Sequence, residues 1–150
     1  WRHALKILVQ MRDESCMPDA ISCNTAMSAC VKGHAWPWVF QLFEDMERHA
    51  LEPDLVSYGV AIRACKDGER WEAAVHLVAE MWARGLAPGL ITCSAAISAC
   101  ERGHQWQYAC ALLLMVRRAG SEPDAISYNA VISACEKVQQ WERALELLAR

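Results

Sequence analysis

The chain has 150 residues, of which 54% are hydrophobic and 22% charged, and its formal net charge is −3. This composition excludes a disordered chain, and the longest uninterrupted apolar run, residues 108–116, is far shorter than a membrane-spanning helix. The mild acidity argues against a protein that holds duplex DNA mainly by charge, but it is compatible with a local basic stripe on one face.

A single period runs through the whole sequence. Trp, Pro and Cys each recur at intervals of 35 residues. The three series are Trp1, Trp36, Trp71, Trp106 and Trp141; Pro18, Pro53, Pro88 and Pro123; and Cys30, Cys65, Cys100 and Cys135. Boundaries after Pro-Asp or Pro-Gly give the end of a preceding repeat at 1–19, complete repeats at 20–54, 55–89 and 90–124, and a partial repeat at 125–150. We call the last four the first, second, third and fourth units.

Each unit is predicted to contain two helices in chain order. In the fourth unit, Tyr128, Val131, Ile132 and Cys135 lie on one helical face. A hydroxyl residue before each such face is predicted to cap the first helix, and a glycine in the left-handed conformation is predicted to end it. The caps are Ser22, Ser57, Thr92 and Ser127, and the glycines are Gly33, Gly68 and Gly103. A second apolar set, at 71–81 in the second unit, predicts a helix that ends near Gly85, before Pro88.

The two helices of a unit cannot bury their apolar faces alone, so neighbouring units must stack. The predicted fold class is all-α, an α-solenoid that forms one array over residues 1–150. The Trp series opens the second helices and is predicted to be core rather than a base-stacking surface. The Cys series is predicted to be buried thiols, because equivalent positions of stacked helices lie about 8–10 Å apart, beyond the reach of a disulfide. No metal site is predicted, since Gly33 and Gly103 interrupt both Cys-x3-His motifs.

The stretch PDAISYNAVISACEKVQQWERALELLAR resembles the pentatricopeptide repeat, and PDAISCNTAMSAC, PDLVSYGVAIRAC and PGLITCSAAISAC carry the same pattern. The resemblance recurs at every unit and so covers the whole chain. It implies a right-handed superhelix that binds single-stranded RNA, one base per repeat. It also implies a fragment of a longer protein of mitochondria or chloroplasts that processes, stabilises or edits transcripts.

The resemblance implies that two residues of each unit, the fifth and the last, read the base. The pairs are Asn24 with Asp54, Gly59 with Gly89, and Ser94 with Asp124, while Asn129 and Asp19 have their partners outside the chain. By the pattern of the family, these pairs imply uracil at the first unit, any base at the second, guanine at the third and a pyrimidine at the fourth.

Two more positions acquire a role from the resemblance. The second residue of each unit is an aliphatic that wedges beside a base, and the thirteenth is a basic residue near phosphate. The wedging residues are Ile21, Val56, Ile91 and Ile126, and the basic residues are Lys32, Arg102 and Lys137. The second unit has Asp67 at the thirteenth position and glycine at both reading positions, so it is predicted to be base-blind. Arg63 either reaches a phosphate or, as its i,i+4 spacing favours, pairs with Asp67.

Other functions stay open beside RNA binding. A solenoid also offers a concave surface for a peptide, as in a tetratricopeptide-like scaffold, and the array would equally suit the RNA-binding arm of a protein-only tRNA-processing nuclease. Alternation of polar fifth residues with Asp at the end of the unit favours RNA. The sequence contains no recognisable catalytic constellation, so we expect neither an enzyme nor a cofactor in this segment. The expected partners are single-stranded RNA and other proteins, but not a membrane or duplex DNA.

Overall fold

A computed structural model describes residues 1–139, and within this range the chain folds into eight α-helices without a strand. The helices are α1 (Arg2–Asp13), α2 (Ala20–Lys32), α3 (Trp36–Arg48), α4 (Leu55–Asp67), α5 (Trp71–Ala83), α6 (Leu90–Arg102), α7 (Trp106–Arg118) and α8 (Ala125–Lys137). Each of the first three units therefore holds two helices. Trp141 and the rest of the partial repeat from residue 140 onward lie outside the described residues.

The helices form two layers. The first helices of successive units, α2, α4, α6 and α8, pack side by side, and each second helix packs between the first helix of its own unit and that of the next. Contacts between successive second helices are much sparser. Because the first-helix layer is the more closely packed, it forms the concave side of the solenoid, and the prediction of an all-α solenoid is confirmed.

The core lies between the two layers and repeats with the sequence. The eighth residue of the first three units is fully buried, as Met27, Ile62 and Ile97. Ile132, at the same position of the fourth unit, is 56% exposed, contrary to the prediction. Its own second-helix sequence follows residue 139, outside the described range.

The Cys series is buried, as predicted. Cys30, Cys65, Cys100 and Cys135 are at most 2% exposed, and all four are free thiols. Burial raises the pKa of Cys65 and of Cys100 to about 12. These thiols therefore stay protonated at neutral pH and behave as small apolar groups.

The helix caps are three residues earlier than predicted. Asp19, Asp54 and Asp124 are the N-caps, and each carboxylate accepts the backbone N–H of the serine three residues on, at 2.8 Å. The serines, and Thr92 in the third unit, are thus the third residues of their helices and not the caps. Both residue types are good caps, and in these three helices the carboxylate lies within hydrogen-bond distance of the serine hydroxyl as well as of its backbone N–H. Gly89 begins α6 at the same position without a side-chain bond, so the start of the helix does not depend on the carboxylate.

The glycines after the first helices are not left-handed, contrary to the prediction. Gly33, Gly68 and Gly103 have φ angles of −89°, −90° and −77°. The left-handed residue follows each of them, as His34, Glu69 and His104.

These glycines are required instead by a close approach between units. A Cβ added to Gly68 would lie 2.8 Å from Cδ2 of Trp36, and one added to Gly103 would lie 2.2 Å from Cδ1 of Trp71. Each of these Trp side chains comes from the second helix of the preceding unit and packs against the core, as predicted for the Trp series. Gly and Trp therefore recur at the same period because they contact each other between neighbouring units.

Candidate nucleic-acid interface

The fifth residue and the last residue of a unit meet at the concave face. Asn24 Nδ2 donates to Asp54 Oδ1 at 3.1 Å, and Ser94 Oγ donates to Asp124 Oδ1 at 3.2 Å. The aspartate of each pair caps the next first helix, and adjacent first helices lie side by side. The packing thus brings together the two complete polar pairs that the sequence analysis selected.

A third residue joins each pair. Ser57 Oγ donates to Asn24 Oδ1 at 2.7 Å, and Ser94 Oγ lies 2.6 Å from Ser127 Oγ. Ser57 and Ser127 are fully buried, and each belongs to the unit that follows the pair. The sequence predicts them only as helix caps, although their recurrence at the 35-residue period indicates a shared role.

This network orients the side chain of Asn24. Its amide nitrogen faces Asp54 and its carbonyl oxygen faces Ser57, which leaves one N–H and one lone pair free. Asn24 is 7% exposed, so little of the residue reaches the surface. Asn129, its equivalent in the fourth unit, is exposed.

The carboxylates at these positions are ionised acceptors at neutral pH. Burial raises the pKa of Asp54, but hydrogen bonds from Ser57 and Asn24 outweigh it and lower that pKa below its ordinary value. Hydrogen bonds from the hydroxyl and the N–H of Ser127 lower the pKa of Asp124 in the same way. A charged acceptor therefore lies beside Asn24 and beside Ser94.

An apolar ladder runs beside the polar pairs. The second residue of each unit has a large aliphatic side chain that is mostly exposed: Ile21 at 74%, Val56 at 55%, Ile91 at 79% and Ile126 at 63%. Exposing large aliphatic side chains at a fixed period does not stabilise the folded protein. The ladder is thus available to pack against the flat faces of a ligand.

The second unit interrupts the polar pairs. Gly59 and Gly89 provide no side chain, and Gly89 caps α6 without a side-chain hydrogen bond. The space for side chains is nevertheless present. A Cβ on Gly59 would make an ordinary contact with Thr92 Oγ1 at 3.5 Å, and one on Gly89 would have no heavy atom within 4 Å.

The predicted basic residues differ in their surroundings. Lys32 and Arg102 are exposed, and neither belongs to an ion pair among the described residues. Lys137 Nζ lies 2.7 Å from Glu101 Oε1 and is thus partly neutralised.

The predicted pair of Arg63 with Asp67 does not form. Both side chains are exposed and line a cavity of about 300 Å³ on the concave face, together with Lys66, Ser94 and Ile91. An exposed i,i+4 ion pair contributes only about 0.2–0.5 kcal/mol, so its absence costs α4 little stability. Arg63 therefore belongs to the interface.

Residues 1–139 lack two other features. No group of three or more His, Cys, Asp or Glu side chains is arranged to hold a metal ion there. No helix in this range combines the length and apolar character needed to cross a bilayer.

Solved structures similar to this chain are helical-repeat proteins. The pentatricopeptide repeat protein PPR10, in complex with an 18-nt psaJ RNA element, is 27% identical over 94% of this chain, with a TM-score of 0.73. PPR10 from maize is 25% identical over 99% of this chain, with a TM-score of 0.69. This chain covers only 21% of the length of PPR10. The PPR domain of Arabidopsis thaliana protein-only RNase P 1, in complex with tRNA, has a TM-score of 0.85 at 16% identity, covers 99% of this chain and 78% of its own, and supports the fold alone.

Family models account for most of the sequence. The PPR repeat family matches residues 18–67, the PPR repeat matches 56–86, and the pentatricopeptide repeat domain matches 76–138. No curated protein sequence matches the chain. With the period, the two-helix unit and these matches in agreement, the chain belongs to the pentatricopeptide repeat family.

Proposed function

We propose that this chain binds single-stranded RNA along its concave face and selects bases through successive units. The observation that carries the proposal is the pairing of Asn24 with Asp54 and of Ser94 with Asp124, each beside an exposed aliphatic side chain. Stacking on an apolar surface holds a base of any identity, whereas a polar edge distinguishes one base from another. The two kinds of contact recur together at the period of the fold.

The chemistry of the first pair suits a base edge that both donates and accepts. Asn24 retains one N–H and one lone pair after its contacts with Asp54 and Ser57. Uracil has such an edge, and the family pattern assigns uracil to an Asn and Asp pair. By the same pattern the third unit selects guanine, and Asn129 in the fourth unit selects a pyrimidine.

A similar protein supports the same ligand class. PPR10, which is 27% identical to this chain, was solved with an RNA element. We infer that this array is a binding module without a catalytic step of its own. Its role is to support RNA processing, stability or editing in mitochondria or chloroplasts.

The test exchanges the two reading residues. In a protein with Asn24→Ser and Ser94→Asn, selection from a randomised RNA pool should return guanine at the step of the first unit and uracil at that of the third. Gln107→Ser, on the second-helix face of the third unit, is the control and should leave the selected sequence unchanged. Selected bases that stay in their original order would show that these positions do not read RNA.

A scaffold that binds peptides is distinguished by salt. Phosphate contacts release counterions, so RNA affinity should fall steeply as the salt concentration rises. A protein that binds no RNA at low salt has a different ligand.

A further inference from the structure

We propose that Arg63 and Lys66 bind the RNA backbone, so that the second unit grips the strand at a phosphate without reading a base. This inference rests on the proposed function. It assigns a function to the second unit, which lacks side chains at both reading positions.

The geometry places the two cations inside the interface. Arg63 and Lys66 lie one helical turn apart on α4 and line the same cavity of about 300 Å³. The same cavity is lined by the reading residue Ser94 and by the aliphatic residues Ile91 and Ile126. A nucleotide held at Ser94 and Ile91 would therefore lie beside the second unit's cations.

The cations are specific to the second unit. The other units have serine at the position of Arg63, and valine or glutamate at the position of Lys66. These residues are Ser28, Ser98 and Ser133 in the first case, and Val31, Glu101 and Glu136 in the second. At the thirteenth position, where the other units have a basic residue, the second unit has Asp67. The positive charge is thus shifted toward the start of the helix rather than lost.

Phosphate is the part of a nucleotide that fits these groups. Neither Arg63 nor Lys66 forms an ion pair among the described residues, so both charges are available. A guanidinium fork and an ammonium together match the several oxygens of a phosphate. The polar edge of the same step is already provided by Ser94 and Asp124. Asp67 also lines the cavity and reduces its net positive charge to one.

The experiment measures RNA affinity as a function of salt for Arg63→Ser, Lys66→Val and the double variant, which place the first unit's residues in the second unit. For a single strand, each lost phosphate contact makes the negative slope of log affinity against log salt shallower by about 0.7. If the two proteins bind equally at 1 M salt, the variant should bind about fivefold more weakly at 0.1 M. The selected RNA sequence should not change. Arg118→Ser, which removes an exposed arginine of α7 without a described ion pair, should change neither affinity nor slope.

The outcomes separate this inference from the proposed function. If the unaltered protein shows no salt-dependent RNA binding, the function itself is wrong. If it binds but the double variant keeps its affinity and slope, the phosphate assignment is overturned. A changed base preference at the third step would also overturn it, because Arg63 would then read the base. Asp67→Asn, which leaves both cations in place, should raise the affinity severalfold, and an unchanged affinity would count against the assignment.

Discussion

Asp54 serves the fold and the interface with the same oxygen atom. Its Oδ1 accepts the backbone N–H of Ser57 at 2.8 Å, which caps α4, and the amide of Asn24 at 3.1 Å, which completes a reading pair. The residue that ends one unit is therefore the one that starts the next helix. This double use explains why the reading position can recur at a fixed period without a separate scaffold to hold it.

Substitutions of Asp54 should separate the two uses. Asp54→Ala removes the cap and is expected to lower the free energy of unfolding by about 1 kcal/mol, whereas Asp54→Asn keeps a capping oxygen and should cost only a few tenths. Both variants should lose the base preference of the first unit. Urea unfolding and RNA selection on the same two proteins measure these effects, and equal stability losses would show that the cap is unimportant.

The ionisation of Asp54 adds a dependence on pH to this prediction. Its folded-state pKa lies below the ordinary value of 3.8, so its stabilising contribution is complete above that value and is lost as the pH falls through the lowered pKa. Unfolding free energy should therefore fall below about pH 4. The decline should be smaller in Asp54→Asn, which has no proton to gain.

At the scale of helices, the contact between glycine and tryptophan sets how closely units approach. In the second unit Gly68 begins the turn after α4 and lies against Trp36 of α3. In the fourth unit Val138 takes the equivalent position, and Trp106 is the most buried of the described tryptophans, at 7% exposure. The turn that carries a side chain thus follows a Trp that is more deeply buried than Trp36 and Trp71.

A single methyl group tests this contact. Gly103→Ala places a Cβ 2.2 Å from Cδ1 of Trp71 and should lower the unfolding free energy by about 1–3 kcal/mol, the usual cost of overpacking. Gly59→Ala is the matched control, because it lies within α4 where the new Cβ meets only Thr92 Oγ1 at 3.5 Å. Alanine in a helix interior should raise stability there by about 0.5–1 kcal/mol. The denaturation midpoints should move in opposite directions, and a shift of both in the same direction would contradict the steric account.

For the whole molecule, the sequence predicts what recurs with the period and misses what depends on contacts between units. The helix pairs and the buried Cys series follow from residues that repeat every 35 positions, whereas the reading pairs follow from the resemblance to the pentatricopeptide repeat. The role of Gly68 does not, because it depends on Trp36, which lies 32 residues earlier in another helix.

The same limit explains the other differences between sequence and structure. Ser57 joins the site of Asn24 only because α2 and α4 pack side by side. The cavity that Arg63 and Asp67 line is likewise shared with residues of the neighbouring units. Asp19 and Ser22 are both good capping residues, so composition alone could not decide between them.

In the proposed array, the first and third units read a base and the second unit does not. We expect that Gly59→Asn together with Gly89→Asp would install a reading pair there, because both positions have room for a side chain. Asn at position 59 would lie next to Thr92 as Asn24 lies next to Ser57, and Asp at position 89 would cap α6. The cap should add a few tenths of a kcal/mol to the stability.

Selection from a randomised RNA pool should then return uracil at the second step, with uracil and guanine unchanged on either side. Gly59→Asn alone is the control, since an unpaired Asn lacks the carboxylate that orients it, and it should give a weaker preference. A double variant that folds, binds RNA and still accepts any base at this step would mean that the spacing of the second unit, rather than its missing side chains, makes it base-blind. If each unit reads its base independently, one new reading pair should add one specified base. A groove that recognises its ligand as a single surface should not show this stepwise gain.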